Sequence, residues 1–174
     1  MEQAKKPIFE QLYQALQRLV GLHRQLLDNV RMERKSLVDA DLKGIQDATV
    51  AKQALVEAIR QAEFQRQKCV AELAVATKVP VRDLTLANLV LAAQAIDNKL
   101  AEQFRTAQNA LNLLIQRIVE QNDDNKSLVE KSLAHVNEMK RNVLGEAAPK
   151  SSTYNQQGQR ANPASGARML SREA

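Results

Sequence analysis

Apolar residues recur at alternating spacings of three and four along most of this chain, and the rhythm stops after Gly145. In the first stretch Leu12, Leu16, Leu19, Leu26, Val30 and Leu37 fall on one seam, interrupted only by His23 and Glu33. A helical period explains that spacing and a strand period does not. The pattern predicts a first helix over residues 7–38, because proline is tolerated in a first turn; Gly21 is its weak point. Asp39 or Asp41 then offers an N-cap for a second helix marked by Ile45, Leu55, Ile59, Ala62, Val70 and Leu73. So short a connection makes the two helices antiparallel neighbours, each extending roughly 45 to 50 Å.

Pro80 ends the second helix by biasing Val79 away from helical geometry. Asp83 or Thr85 can cap the next segment, in which Leu86, Leu89, Val90, Ala93 and Ile96 continue in register with Leu100, Ala107, Leu111, Leu114 and Ile118. The polar cluster at residues 121–125 interrupts this seam before Leu128, Leu133, Val136, Val143 and Leu144 resume it. The cluster predicts a kink or short turn, with a continuous helix and one exposed polar turn as the alternative. Gly145 reads as a helix-terminating residue, with Pro149 forbidding continuation. The expectation is all-α: an elongated up-and-down bundle of three to four long helices in residues 1–145, followed by a flexible tail in residues 146–174. That tail is rich in Ala, Ser, Asn, Gln, Gly, Pro and Arg, with Tyr154, Met169 and Leu170 as its large apolar residues. It cannot bury enough surface to offset about 1–2 kcal/mol of backbone entropy per residue, so it is expected to be disordered on its own.

Composition narrows the function. Aromatics make up 3% and Trp is absent, so the core is built from Leu, Ile, Val and Ala, as bundles are and catalytic α/β domains seldom are. No apolar run is long enough to cross a bilayer, and the first residues lack a signal-peptide apolar segment, which points to the cytoplasm. The lone Cys69 has no internal disulfide partner and reads as a small core residue. The net charge of +5 raises the question of nucleic acid, but bases alternate with acids, as in residues 31–35, instead of gathering on one face. Glycine-rich phosphate loops, paired metal-ligand cysteines and an HExxH helix are missing from the sequence. His23 reads as a hydrogen-bonded interior or boundary residue and His135 as surface. An enzyme is not expected, and neither a cofactor nor a metal. What remains is apolar stripe area, above all in the last helical segment, which adjoins the tail and can leave a face open to a partner's amphipathic helix.

Three places carry a resemblance to the FlgN-type flagellar export chaperone family. Residues 33–45, beginning at Glu33 and followed by Lys52 and Leu55, resemble the family's first helical turn and its E…L…D…L…K…L rhythm. Residues 125–133, from Asn125 through Leu128 to Leu133, resemble the opening of its last helix. Thr153-Tyr154 with Gly158 is similar to its tYxxxG tail element. The resemblance implies a cytoplasmic chaperone of type III flagellar export that binds the amphipathic termini of hook-associated (hook–filament junction) proteins. It would prevent their premature assembly and deliver them to the export gate. Carried over, it implies client contact for Asn125, Leu128, Leu133 and Val136, with Val143 and Leu144 on the same stripe, and docking to the gate's cytoplasmic domain for Tyr154. Two rival expectations are a basic helical protein associated with nucleic acid and a structural coiled-coil oligomer.

Overall fold

The computed structural model describes residues 2–144. They form four helices: α1 (Glu2–Val38), α2 (Leu42–Thr77), α3 (Leu86–Gln94) and α4 (Asn98–Leu144), with a single 3₁₀ turn at Val81–Asp83. The fold is an all-α up-and-down bundle of three long helices and one short one. The chain divides into a unit of Met1–Lys131 and a unit of Ser132–Ala174. The expected terminator Gly145 and the tail lie outside the described residues.

α1 begins earlier than expected, at Glu2, so Pro7 lies inside the helix instead of in its first turn. The proline's missing N–H removes a single backbone bond close to the helix start, where the loss is least disruptive. The α1–α2 turn is built from local chemistry. Ala40 adopts a left-handed conformation, with φ of 51°, and the Asp41 N–H donates to the Ser36 carbonyl at 2.9 Å, closing the end of α1. Asp41, one of the two expected caps, then accepts from the Gly44 N–H at 3.0 Å and starts α2. Thr85 caps α3 by accepting from the Asn88 N–H, and Lys78, in a left-handed conformation ahead of Pro80, closes α2.

The break after α3 is a correction. The periodicity joined Leu86–Ile96 to the following seam, but the chain leaves the helix at Ala95 and re-enters it at Asn98. Asp97 accepts from the Lys99 N–H at 2.8 Å and so provides the new start. Residues 121–125 follow the alternative of a continuous helix, since α4 runs through them without interruption, but the polar turn is not wholly exposed because Asn125 is buried.

In the first unit, α1 supplies the seam on which the core is assembled. Phe9, Leu12, Leu16 and Leu19 pack with Ala62, Val70 and Leu73 of α2, Leu89, Val90 and Ala93 of α3, and Leu100, Phe104 and Leu111 of α4. Phe9 and Phe104 meet edge-to-face, with ring centroids 6.0 Å apart and planes at 82°. Farther along α1, Leu26, Leu27 and Val30 pack with Ile118. Cys69 lies half-buried against the larger cluster, and burial together with Glu72 pushes its thiol pKa up. His23 fits the interior-edge expectation: it is partly buried, with Nδ1 2.7 Å from the Leu19 carbonyl.

Two helical glycines have opposite surroundings. A Cβ on Gly21 would meet nothing within 4 Å, whereas one on Gly44 would collide with Ser36 Oγ and the Asp41 carboxylate. Gly21→Ala is therefore expected to raise unfolding free energy by about 0.5–1 kcal/mol through helix propensity. Gly44→Ala is expected to lower it by about 1–3 kcal/mol, because it overpacks the turn and displaces the cap. Urea denaturation of the two variants checks the opposite signs.

Candidate functional site

Two of the three sequence motifs meet in space. Glu33 and Lys52, 19 positions apart on α1 and α2, form an ion pair with Nζ 2.5 Å from Oε2, and their side chains are only 15% and 26% exposed. Asn125 of α4 joins them. Its amide nitrogen donates to the same Glu33 oxygen at 3.0 Å and to the Val30 carbonyl at 3.0 Å, and its oxygen accepts from Gln121. Lys52 also donates to Asn122 Oδ1 at 3.2 Å, and Arg34 lies 3.7 Å from Asp124 at the rim. Three helices are thus tied at one level by a polar clasp in which Asn125 is 4% exposed.

The clasp explains the polar run. Asn125 stands seven and fourteen residues after Ile118 and Leu111, at a seam position that those two fill with apolar side chains. A buried amide there is tolerated because both of its N–H groups and its oxygen have partners. Such a group favours one register of the seam over its neighbours. The expected client-contact position Asn125 is therefore an interior residue of the first unit, facing α1. Leu128 is half-buried.

The remaining expected contacts lie in the second unit, where every side chain described is exposed. Leu133 is 59% exposed, Val136 58% and Val143 80%, and Met139, which sequence reasoning missed, is 53% exposed. Their spacings of three, three and four place them on one helical stripe. Met139 was legible in that spacing, three residues after Val136 and four before Val143. The side chain of Leu144 and all of Tyr154 lie outside the described residues. Among the described residues no group of three His, Cys, Asp or Glu side chains is placed to hold a metal ion, and no helix is long and apolar enough to cross a membrane.

A second polar feature marks α2 beside His23. Arg66 grips Glu63 through two hydrogen bonds of 2.8 and 2.6 Å. That grip holds the Glu63 carboxyl below its ordinary 4.5, with burial opposing it and the charges of Arg66 and His23 assisting.

Both polar features yield tests. Lys52→Met leaves the shielded Glu33 carboxylate with Asn125 as its remaining partner, and is expected to cost about 1–3 kcal/mol in chemical denaturation. For Glu63, a depressed folded-state pKa gives stability that is present above 4.5 and lost as pH falls through the lower folded value. Glu63→Gln is therefore expected to flatten the acid-side decline in thermal midpoint below that pH while leaving the neutral side nearly parallel to wild type.

A family model described as FlgN protein matches residues 1–162, whereas no curated protein and no solved structure matches the chain. The match spans both the clasp and the exposed stripe, and the chain belongs to the FlgN family of flagellar export chaperones.

Proposed function

We propose that this chain works in the cytoplasm, binds the amphipathic terminal helices of hook-associated proteins and carries them to the type III export gate. The observation that carries this reading is the exposed stripe Leu133, Val136, Met139 and Val143, on a segment where no described side chain is buried. Proteins that polymerise outside the cell carry apolar, helix-forming ends, and a stripe of this kind covers such an end in helix-against-helix fashion. Met139 suits the task because its unbranched thioether adapts to different packing partners. Ordering a flexible client end consumes about 2–5 kcal/mol of the gross contact energy, which keeps binding reversible and permits release at the gate. Asn125 contributes indirectly, by fixing the register of α4 in the clasp. Tyr154, an amphipathic anchor with one apolar face and one hydroxyl, is proposed for gate docking.

The thin spread of positive charge gives the nucleic-acid reading no concentrated face to work with. Capture of client settles the main reading. Val136→Glu is expected to weaken binding of a hook-associated protein's C-terminal segment by more than tenfold, about 1.4 kcal/mol, in calorimetry with helicity unchanged. Tyr154→Ala is expected to retain client and lose association with the gate's cytoplasmic domain in the same assay. Undiminished client affinity in Val136→Glu overturns the assignment of the stripe.

A further inference from the structure

Beside the Glu63–Arg66 pair the first unit holds a hollow of about 580 Å³, bordered by α1, α2, the start of α3 and α4. That volume lies within the roughly 300–1,000 Å³ of small-molecule sites, which in helical bundles form between the helices. Its floor is aliphatic, because Leu16, Leu19, Leu84 and Leu111 line it and are all buried. At the rim Ile115 is 46% exposed, so apolar surface of the hollow is left in water. Thr85 and Asn112 lie at the same rim and are also exposed. The remaining polar groups are Glu63 and Arg66 of α2 and His23 of α1, with Glu63 and His23 close enough for the charge of one to act on the other.

Each of these three groups is partly committed, and what it has left defines the ligand. Arg66 gives Nε and one Nη nitrogen to the two Glu63 oxygens at 2.8 and 2.6 Å, with the two side chains 26% and 38% exposed. Among the described residues Glu63 Oε2 accepts from Arg66 Nε alone, so it retains a lone pair. His23 Nδ1 lies 2.7 Å from the Leu19 carbonyl, which can only accept. Nδ1 therefore carries the proton, and Nε2 of the neutral ring is a second acceptor. A carboxylate head entering here would set a second anion against Glu63. An ammonium head would draw Glu63 away from Arg66 and strand a half-buried guanidinium. A neutral hydroxyl incurs neither penalty and supplies the donor that both acceptors can use. A guanidinium fixed in its plane by a bidentate carboxylate also stacks well on aromatic rings, which favours a ring over a plain alkyl chain above the leucine floor. We propose that this hollow binds a small aryl alcohol, a neutral molecule whose aromatic body covers the aliphatic floor and whose hydroxyl donates to Glu63. The site lies wholly within residues 16–115 and is independent of the exposed stripe and of any client that the stripe covers.

Titration of the whole chain with p-cresol, toluene and p-toluate, followed by the methyl signals in nuclear magnetic resonance, tests the site. In wild type p-cresol is expected to move the signals of Leu19, Leu111 and Ile115 saturably while those of Leu133 and Val136 hold still. It is expected to bind about fivefold more tightly than toluene, the worth of one hydrogen bond, and tenfold or more above p-toluate, which meets the Glu63 charge. Glu63→Gln removes that charge and frees Arg66, so it is expected to raise p-toluate affinity by tenfold or more and to reverse the order of the two ligands. Mere loosening of the helices would weaken both together. Ile115→Trp, which fills the hollow from its rim, is expected to weaken p-cresol by tenfold or more with far-ultraviolet circular dichroism unchanged. The proposal is overturned by a wild type that gives no saturable response at millimolar p-cresol, or one whose response falls equally on the stripe. It is overturned as well if p-toluate binds wild type as tightly as p-cresol, or if Glu63→Gln leaves p-toluate affinity unaltered.

Discussion

Burial of one face of α1 is the interaction on which the first unit depends. The seam from Phe9 to Val30 is contacted by α2, α3 and α4 at successive levels, and its largest side chains are almost fully withdrawn from water. Each such side chain contributes roughly 1.5–3 kcal/mol of transfer free energy, so the seam outweighs any single polar contact in the fold. Hydrophobic burial is non-directional, however, and a seam of Leu and Val tolerates sliding by a turn. The clasp of Glu33, Lys52 and Asn125 supplies what the seam lacks, because its hydrogen bonds exist in one register only.

That division of labour accounts for what the sequence disclosed. Helix type and the α1 core positions Leu12, Leu16, Leu19, Leu26 and Val30 followed from spacing, and the antiparallel hairpin from the short connection, whereas buried Phe9, Val20 and Leu27 lay outside the seam read from sequence. The α1–α2 turn was legible as well, with Asp41 as one of two named caps, because cap chemistry is local. Two features were harder to read, for different reasons. Residues 121–125 look like a break because a polar run in a seam usually faces solvent, yet Asn125 finds its partners on α1, 92 and 95 positions away. The real break at Ala95–Asp97 was hidden because apolar residues on both sides happen to keep step. The signal that could have found it is Asp97 next to Asn98, a cap pair in the middle of an apolar stretch.

For the candidate site the same limit applied more strongly. Leu133, Val136 and Val143 could be placed on a stripe from spacing, and Met139 should have been included with them. Whether a stripe is covered or open depends on which elements lie beside it, and that is decided by tertiary packing. Sequence reasoning therefore treated Asn125 and Val136 alike, as neighbours in one motif, while folding puts one inside the first unit and leaves the other in water. Family membership gives the stripe its context, and the role proposed for it is the one that α1 plays internally, that of an apolar helical face covered by another helix.

The measurement that reaches the central claim most directly is methyl-resolved nuclear magnetic resonance of the whole chain titrated with the C-terminal segment of a hook-associated protein. The account predicts that the methyl signals of Leu133, Val136, Met139 and Val143 move or broaden first and most, while those of the buried α1 seam, such as Leu12 and Leu16, hold still. Perturbations that spare the stripe and fall elsewhere, or a titration with no response at all, would contradict it.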